Sequence, residues 1–401
     1  MARAEPILIA GAGIAGLAAA LGLARRGFGV TLLERQSVLA EAGAGIQIGP
    51  NGVKALAALG LREAVEAVAF RPAGLAIRQG ATGALMTTLP WGEVAEKRYG
   101  APFLTLLRTE LQAGLLPAVR AQPGIELVTG FEVAGVVQVG DTVSARSSDG
   151  RMANGAALVG ADGLWSGVRG QITPDPGGSG KPLPTGYAAY RAVVARENLQ
   201  APFDKPEVGI WLGRAAHVVH YPVCGGDQLN LVVVIQDGAP TEDWDGQGRL
   251  GDIAPHLSKW SANLQNLLAR AAGWRRWTLC DLPPLARWSE GRVGLIGDAA
   301  HPVLPFLAQG AVMALEDAVV LAALAGRAGR LEPEAFAAFE RIRRPRLEKL
   351  AAASRRNGRT YHMAGPAALV RDAVLRATPP QLLQAQWDWL YRFNPDADLN
   401  T

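Results

Sequence analysis

The first residues able to do chemistry stand near the start of the chain. Gly11-Ala12-Gly13-Ile14-Ala15-Gly16 is a GxGxxG run between an apolar segment, Pro6 to Ala10, and a helical pattern from Ile14 to Arg26. Glycines at those positions let the backbone turn tightly and approach a pyrophosphate, whose charge a helix N-terminus favours. Glu34 closes the next apolar segment, Val30 to Glu34, where a carboxylate can accept both hydroxyls of an adenosine ribose. A carboxylate there disfavours a 2′-phosphate, so the pattern suits FAD or NAD. A turn that binds nothing could carry the same glycines, but it has no need of Glu34 in register.

Two more carboxylates follow apolar segments. Asp162 lies in Gly160-Ala161-Asp162-Gly163-Leu164-Trp165-Ser166-Gly167-Val168-Arg169, and Asp298 in Gly297-Asp298-Ala299-Ala300-His301-Pro302-Val303-Leu304-Pro305. Each can accept a ribose or ribityl hydroxyl at a strand end, and each also reads as a plain Asp turn. Gln309-Gly310-Ala311 opens a further helix, whose N–H groups could stabilise negative charge on an electron-rich ring. In the strand pattern 208–222, positions 217, 219 and 221 share one face and 218 and 220 the other. His217 and Tyr221 therefore address the same pocket and His220 points away, although either could be an ordinary half-buried sheet residue.

The elements that must hold these residues are legible in outline. Strand, Gly turn, helix and strand over the first 35 residues form a βαβ unit. Short strands run from Ala73 to about Leu89, a helix from Arg108 to Arg120, and three alternating strands, read as a meander, from Ile125 to Ser148. Ala157 to Ala161 returns to the first sheet. The Pro/Gly-rich stretch 173–184 reads as a linker, and 185–194, 208–222 and 228–236 as long strands, the second turning in a hairpin near Gly213-Arg214. A helical stretch is expected over 252–272, then a strand from Arg292 to Ile296, a helix from Gly310 to Ala325 and helices from Glu334 onward.

Composition removes several classes. With 49% hydrophobic and 19% charged residues among 401, a large core is available. Forty basic against 36 acidic residues leave a net charge of +4, with no electrostatic case for nucleic acid. Cys224 and Cys280 make no disulfide framework, and the five histidines show no metal-binding spacing, so no metal is expected. The uncharged run Pro6 to Ala24 is broken by glycines into a strand and a helix, so neither a membrane span nor a signal peptide is expected. A cytoplasmic protein is expected.

The order GxGxxG with Glu34, then GADGxxSxVR, then GDAAHPxxPxxxQG with a following Glu316-Asp317-Ala318 resembles the group A FAD-dependent aromatic hydroxylases, which share the para-hydroxybenzoate hydroxylase fold. The resemblance covers at least residues 5–320. It implies an α/β protein: a Rossmann-like FAD-binding domain (1–72, 101–173 and 281–355), an inserted, mainly antiparallel substrate domain (73–100 and 174–280) and a C-terminal helical segment (356–401). Carried over residue by residue, Gly11, Gly13, Gly16 and Glu34 bind the ADP half, with Ala15 and Arg35 beside them. Arg108 and Gln112 match a flavin-contacting pair, Asp162 the acid of the second motif, and Asp298 the ribityl carboxylate, with Gly310 and Ala311 at the flavin ring.

Residues 43–51 (GAGIQIGPN), 98–103 (RYGAPF), 186–191 (GYAAYR) and 220–230 (HYPVCGGDQLN) are further similar to 3-hydroxybenzoate 6-hydroxylases and 6-hydroxynicotinate 3-monooxygenases, with salicylate hydroxylases nearly as similar. In the first two a His and a Tyr flank the substrate ring, which makes His217 and Tyr221 candidate catalytic residues. Pro305 matches the wider family, whose backbone carbonyl there faces the substrate, whereas some 3-hydroxybenzoate 6-hydroxylases carry Gln. The resemblance implies hydroxylation of an activated aromatic carboxylate by O₂ through a C4a-hydroperoxyflavin, with NADH or NADPH as reductant and a small aromatic substrate as partner. A same-fold oxidoreductase that inserts no oxygen, or a non-catalytic FAD-binding protein, is the alternative. Trp387-Asp388-Trp389 reads as a packed C-terminal helix or a homodimer surface.

Overall fold

Four consecutive apolar residues, Ile7–Ala10, are accommodated where both faces of a strand are covered. The computed structural model, which describes residues 5–39, 44–173, 180–197, 199–237 and 246–398, places that strand inside a six-stranded sheet. Across the sheet run Ser289–Glu290, Val293–Leu295, Ala157–Gly160, Ile7–Ala10, Val30–Glu34 and Ile125–Thr129. All pairings are parallel except the first. The helix Ile14–Ala24 packs against Gly310–Ala328 through small buried residues such as Ala18, Ala318 and Ala322. Because these strands run the same way, the segments carrying Gly11, Glu34, Asp162 and Asp298 all emerge at one edge of the sheet, where open α/β sheets bind ligands.

A second sheet has eight strands, in the order Gly246–Gln247, Ala272–Asp281, Leu183–Ala195, Gln228–Gln236, Ala216–Val223, Glu207–Gly213, Gly74–Gln79 and Leu85–Pro90. It is antiparallel except where Glu207–Gly213 meets Gly74–Gln79. Leu264, Leu267 and Leu268 of the helix Ala262–Arg270 pack with Trp211, Leu231 and Val233 on one face. The opposite face is turned toward the first sheet's ligand edge. The α/β class with a parallel sheet, an inserted antiparallel sheet and C-terminal helices is thus the one expected.

Three local expectations change. The stretch expected to be helical over 252–272 breaks into Leu250–Ile253, a 3₁₀ turn and Ala262–Arg270, and is followed at once by the strand Ala272–Asp281. That strand was missed because Arg275 and Arg276 between Trp274 and Trp277 blur its alternation. The three strands of 125–148 do not form one meander. Ile125–Thr129 joins the parallel sheet, and the meander is Val133–Val139, Thr142–Ser147 and Met152–Gly155. Finally, Gly45–Ile48 pairs with Leu104–Leu107 in a small unanticipated sheet. Of the expected linker, 174–179 lie outside the described residues.

The long helix Pro333–Tyr361 ties these layers together. Its Arg343 is completely buried and donates to Glu316 and to Asp317, each at 2.7 Å. Arg346 adds two 2.8 Å bonds to Glu316, and Asn51 donates to Glu316 at 2.8 Å. Burial pushes both carboxyls up, but the guanidinium of Arg343 and its neighbours hold them below the ordinary carboxylate range.

Removing one partner from this network strands buried charge. Arg343→Met is expected to cost roughly 3–5 kcal/mol of stability, measured by denaturant unfolding. Both carboxyls have folded-state values below their unfolded ones. Their stabilisation is therefore present above the ordinary carboxylate range and lost as pH falls through the folded values. The gap between wild type and Arg343→Met should shrink as the unfolding experiment is moved into acid.

Candidate active site

Gly11 has φ +98°, a conformation side chains rarely adopt, and a Cβ there would lie 2.6 Å from the Ala161 carbonyl oxygen. A Cβ on Gly16 would lie 1.8 Å from the Gly11 oxygen. These two glycines close the turn. Gly13 differs: a Cβ there meets nothing within 4 Å, and the residue borders a cavity. No side chain caps the helix that starts at Ile14, so its first N–H groups remain available to an anion. Glu34 accepts from the Ala12 N–H at 2.7 Å and from Gln36 N–H at 2.8 Å, which fixes the second strand's end against the glycine turn.

The cavity measures about 320 Å³ and lies between the two sheets. Gly13, Ala15, Arg108, Asp298, Gly310 and Ala311 line its first-sheet side, and His217, Tyr221 and Pro305 line it from the other motifs. Gly11, Gly16, Glu34, Arg35, Gln112 and Asp162 do not. Arg35 is exposed and Gln112 half-buried on the helix Arg108–Ala121. Asp162 is engaged locally, accepting from the Ser166 hydroxyl and from Val168 N–H at 3.0 Å, while its neighbours Ala161, Gly163 and Leu164 face the cavity.

Asp298 has no hydrogen-bond partner among the described residues. Burial raises its carboxyl above the ordinary value, opposed by Arg108 and His301 nearby. Its loop is held from behind. Asp317 accepts from the Gly297 N–H at 2.9 Å and meets His301 Nε2 at 2.6 Å. Arg169 donates to the Leu164 and Ala299 carbonyls at 2.6 and 3.0 Å, stapling two cavity loops together. Ser354 Oγ donates to the Leu304 carbonyl at 2.7 Å, so the C-terminal helix also grips the Pro305 turn.

On the sheet side, His217, Val219 and Tyr221 line the cavity, and His220 does not. His220 is buried behind the sheet near Phe203 and Trp211, where burial pushes it down to about 3. Sequence reasoning missed Arg191 and Trp277. The register sets Arg191 opposite Val232 and Val232 opposite Val219, so all three share the face of His217 and Tyr221. Arg191 is buried and its guanidinium lies 3.9 Å from the Trp277 ring centroid. A lone cation inside the apolar run 187–195 was the available signal for Arg191, whereas Trp277 lies in the strand that the alternation did not reveal.

The sequence matches the FAD binding domain family over residues 4–354. The chain belongs to that family. It is 35% identical over 393 residues to 3-hydroxybenzoate 6-hydroxylase of Polaromonas naphthalenivorans, covering 97% of this chain and 96% of that one. It is also 35% identical over 390 residues to a 3-amino-4-hydroxybenzoate 2-monooxygenase of Streptomyces platensis, covering 96% of each. The structure of Klebsiella pneumoniae HpxO complexed with FAD and uric acid superposes with a TM-score of 0.85 at 26% identity, covering 96% of both chains.

The residues present fit FAD. This FAD-binding fold offers an open glycine surface at an uncapped helix start, and in Asp298 an unpartnered carboxylate at the cavity wall suited to a ribityl hydroxyl. Among the described residues no group of His, Cys, Asp and Glu could hold a metal ion, and no helix is long and apolar enough to cross a membrane. Asp298→Ala should weaken FAD by about 1.5–3 kcal/mol, read as flavin lost on dialysis and a raised Kd in a fluorescence titration. A variant that retains its FAD fully would remove Asp298 from the cofactor site.

Proposed function

We propose that this chain is an FAD-dependent monooxygenase that uses NAD(P)H and O₂ to hydroxylate a phenolic aromatic carboxylate of the hydroxybenzoate class. One observation carries the substrate class: the sheet wall sets His217, Tyr221 and the Arg191 cation around the apolar floor of Val219, Val232 and Val234. A flat ring fits over the valines, a carboxylate beside Arg191, and a phenol within reach of His217 or Tyr221. Among the described residues, Asp298 is the only carboxylate in the lining. The relatives' names, a hydroxybenzoate hydroxylase and an aminohydroxybenzoate monooxygenase, support oxygen insertion and do not favour the non-oxygenating alternative.

FAD, when bound, supplies the redox and oxygen chemistry. The protein's part is to bind, orient and dry the reactants. Burial pushes the Tyr221 phenol up, opposed by Arg191, so it remains a hydrogen-bond donor. Burial and His362 hold His217 well below the ordinary histidine value, so it is a neutral imidazole able to accept the phenolic proton. An ionised phenol makes the ring a better nucleophile, which is what general-base help from His217 supplies. Gly11, Gly13, Ala15, Gly16, Glu34 and Arg35 are assigned to the ADP half, Arg108, Gln112, Asp162 and Asp298 to the ribityl and flavin region, and Gly310 and Ala311 to the ring.

The same reading divides the chain into an FAD-binding domain (1–72, 101–173, 281–355), a substrate domain (73–100, 174–280) and a C-terminal helical segment (356–401). In that last segment Leu369, Val370 and Val374 are exposed, a surface a homodimer would bury. A cytoplasmic location suits an enzyme supplied by NAD(P)H.

Arg191→Met should raise the Kd for 3-hydroxybenzoate about ten- to a hundredfold, while binding of an uncharged phenol of similar size changes little. Equal losses for both ligands would remove the carboxylate from this site. Tyr221→Phe should lower turnover or affinity by about 1–3 kcal/mol and divert NADH oxidation toward H₂O₂, since slower attack lets unproductive oxygen reduction compete. His220→Ala, behind the sheet, should keep the wild-type ratio of product to H₂O₂. The reverse pattern would mean that the strand presents its other face to the substrate.

A further inference from the structure

His217 does not stand alone. Its Nδ1 lies 2.8 Å from Nε2 of His362, the residue that follows the helix Pro333–Tyr361. Two imidazole nitrogens at that distance must share one proton, since two donors or two lone pairs would repel. Burial lowers both groups, His217 well below the ordinary value and His362 to about 4, where Arg371 adds to the effect. Both rings are therefore neutral at rest. The other ring nitrogen of His217 has no partner among the described residues, and its ring lines the cavity. His362 is only half-buried.

The pair is held on every side. Tyr187 stacks on His362 with centroids 4.8 Å apart, and Tyr361 and Phe306 flank His217 at 5.3 and 5.6 Å. Of the charged and titratable groups around it, Arg371 is paired with Asp372 at 2.7 Å and donates to the Thr360 and Tyr361 carbonyls at 3.0 Å. Asp372 also accepts from Gln79 at 2.8 Å. The phenols of Tyr361 and Tyr221 are pushed up by burial and stay protonated, and Arg191 lies elsewhere on the same cavity wall.

We propose that His217 and His362 form the route by which the substrate's phenolic proton leaves the cavity. The phenol O–H bond breaks as an N–H bond forms at Nε2 of His217. The proton on Nδ1 of His217 passes to Nε2 of His362, and His362 releases its Nδ1 proton to water on its half-exposed side. One proton enters and one leaves, and both imidazoles return to neutrality with their tautomers exchanged. Rotation of the rings, or reprotonation from solvent in the reverse sense after product formation, resets them. His362 is a positioning and relay residue; it does not touch the substrate. The proposal rests on the reading that the cavity takes a phenolic acid.

The test uses the full-length, FAD-loaded oxidised enzyme without NADH, so that no turnover occurs. 3-Hydroxybenzoate is mixed with protein in weak buffer containing a pH indicator, and proton release and the ultraviolet absorbance of bound phenolate are followed by stopped flow. In His362→Gln, proton release should slow about tenfold or more while the Kd stays within about threefold of wild type and FAD is retained. Added imidazole should restore part of the rate, and the pH profile of the residual rate should lose the ionisation carried by the pair. Unchanged release in His362→Gln with substrate bound would overturn the relay. His362→Asn serves as a second variant. If both fail to fold, the wild type decides through the rate in mixed H₂O and D₂O: a curved dependence on deuterium content supports two protons in motion, and a linear one overturns the relay. Failure of wild type to bind or hydroxylate any hydroxybenzoate would instead sink the substrate reading, a result separate from normal wild-type chemistry with an indifferent His362.

Discussion

The cavity depends on a charge cluster that never reaches it. Glu316 and Asp317 lie in the helix Gly310–Ala328, fully buried, and Arg343 reaches across from the next long helix to both. Two carboxylates and a guanidinium are costly to desolvate, and they persist in a core only when each charge is met by good hydrogen-bonding geometry. Here the second oxygen of Asp317 takes the Gly297 N–H and His301, so the same carboxylate that neutralises Arg343 also fixes the loop carrying Asp298. Asn51 connects Glu316 to Gln309 at the helix start. The position of one cavity wall is therefore set by electrostatic satisfaction behind it.

The opposite wall is set by a different constraint, the period-two alternation of a sheet. Val219, Val232 and Arg191 stand opposite one another across three strands, and a one-residue slip of the strand Ala216–Val223 would turn His217 and Tyr221 into the packing layer occupied by His220. Trp211, Phe203 and the leucines of the helix Ala262–Arg270 resist that slip, because their burial specifies which face is core. The long C-terminal helix joins both constraints. Arg343 near its middle belongs to the charge cluster, Ser354 and Asn357 hold the carbonyls of Leu304 and Phe306, and the residue after its last turn reaches His217. One long helix and the residue that follows it thus contact the charge cluster, the proline turn and His217.

Local patterns were enough for the parallel sheet, the glycine turn and the two-faced strand around residue 220. In each case the deciding information lies within a few residues: apolar runs bounded by glycine, or alternation along one strand. Glu34, Asp298 and the start of the helix at Gly310 were legible for the same reason. The strand Ala272–Asp281 was not, since two arginines stand where alternation had to be read, and their place is justified only by neighbours on other strands. The destination of Ile125–Thr129 was equally hidden, because strand pairing is a long-range choice.

The sequence by itself determined the strand, glycine turn and helix that open the parallel sheet, since they are built from contiguous backbone whose conformation the glycines dictate. The tertiary structure alone decided which other side chains join His217 and Tyr221 around the cavity. Arg191, Trp277 and His362 come from different strands and from a helix end; the fold sets Arg191 and Trp277 in the same cavity lining as His217 and Tyr221, and His362 against His217. The physical reason is the range of the interactions. Backbone geometry and side-chain alternation are local and leave a mark in residue spacing, whereas a cation beside an aromatic ring or a proton shared by two imidazoles depends on separations of a few ångströms that folding creates between residues distant in the chain.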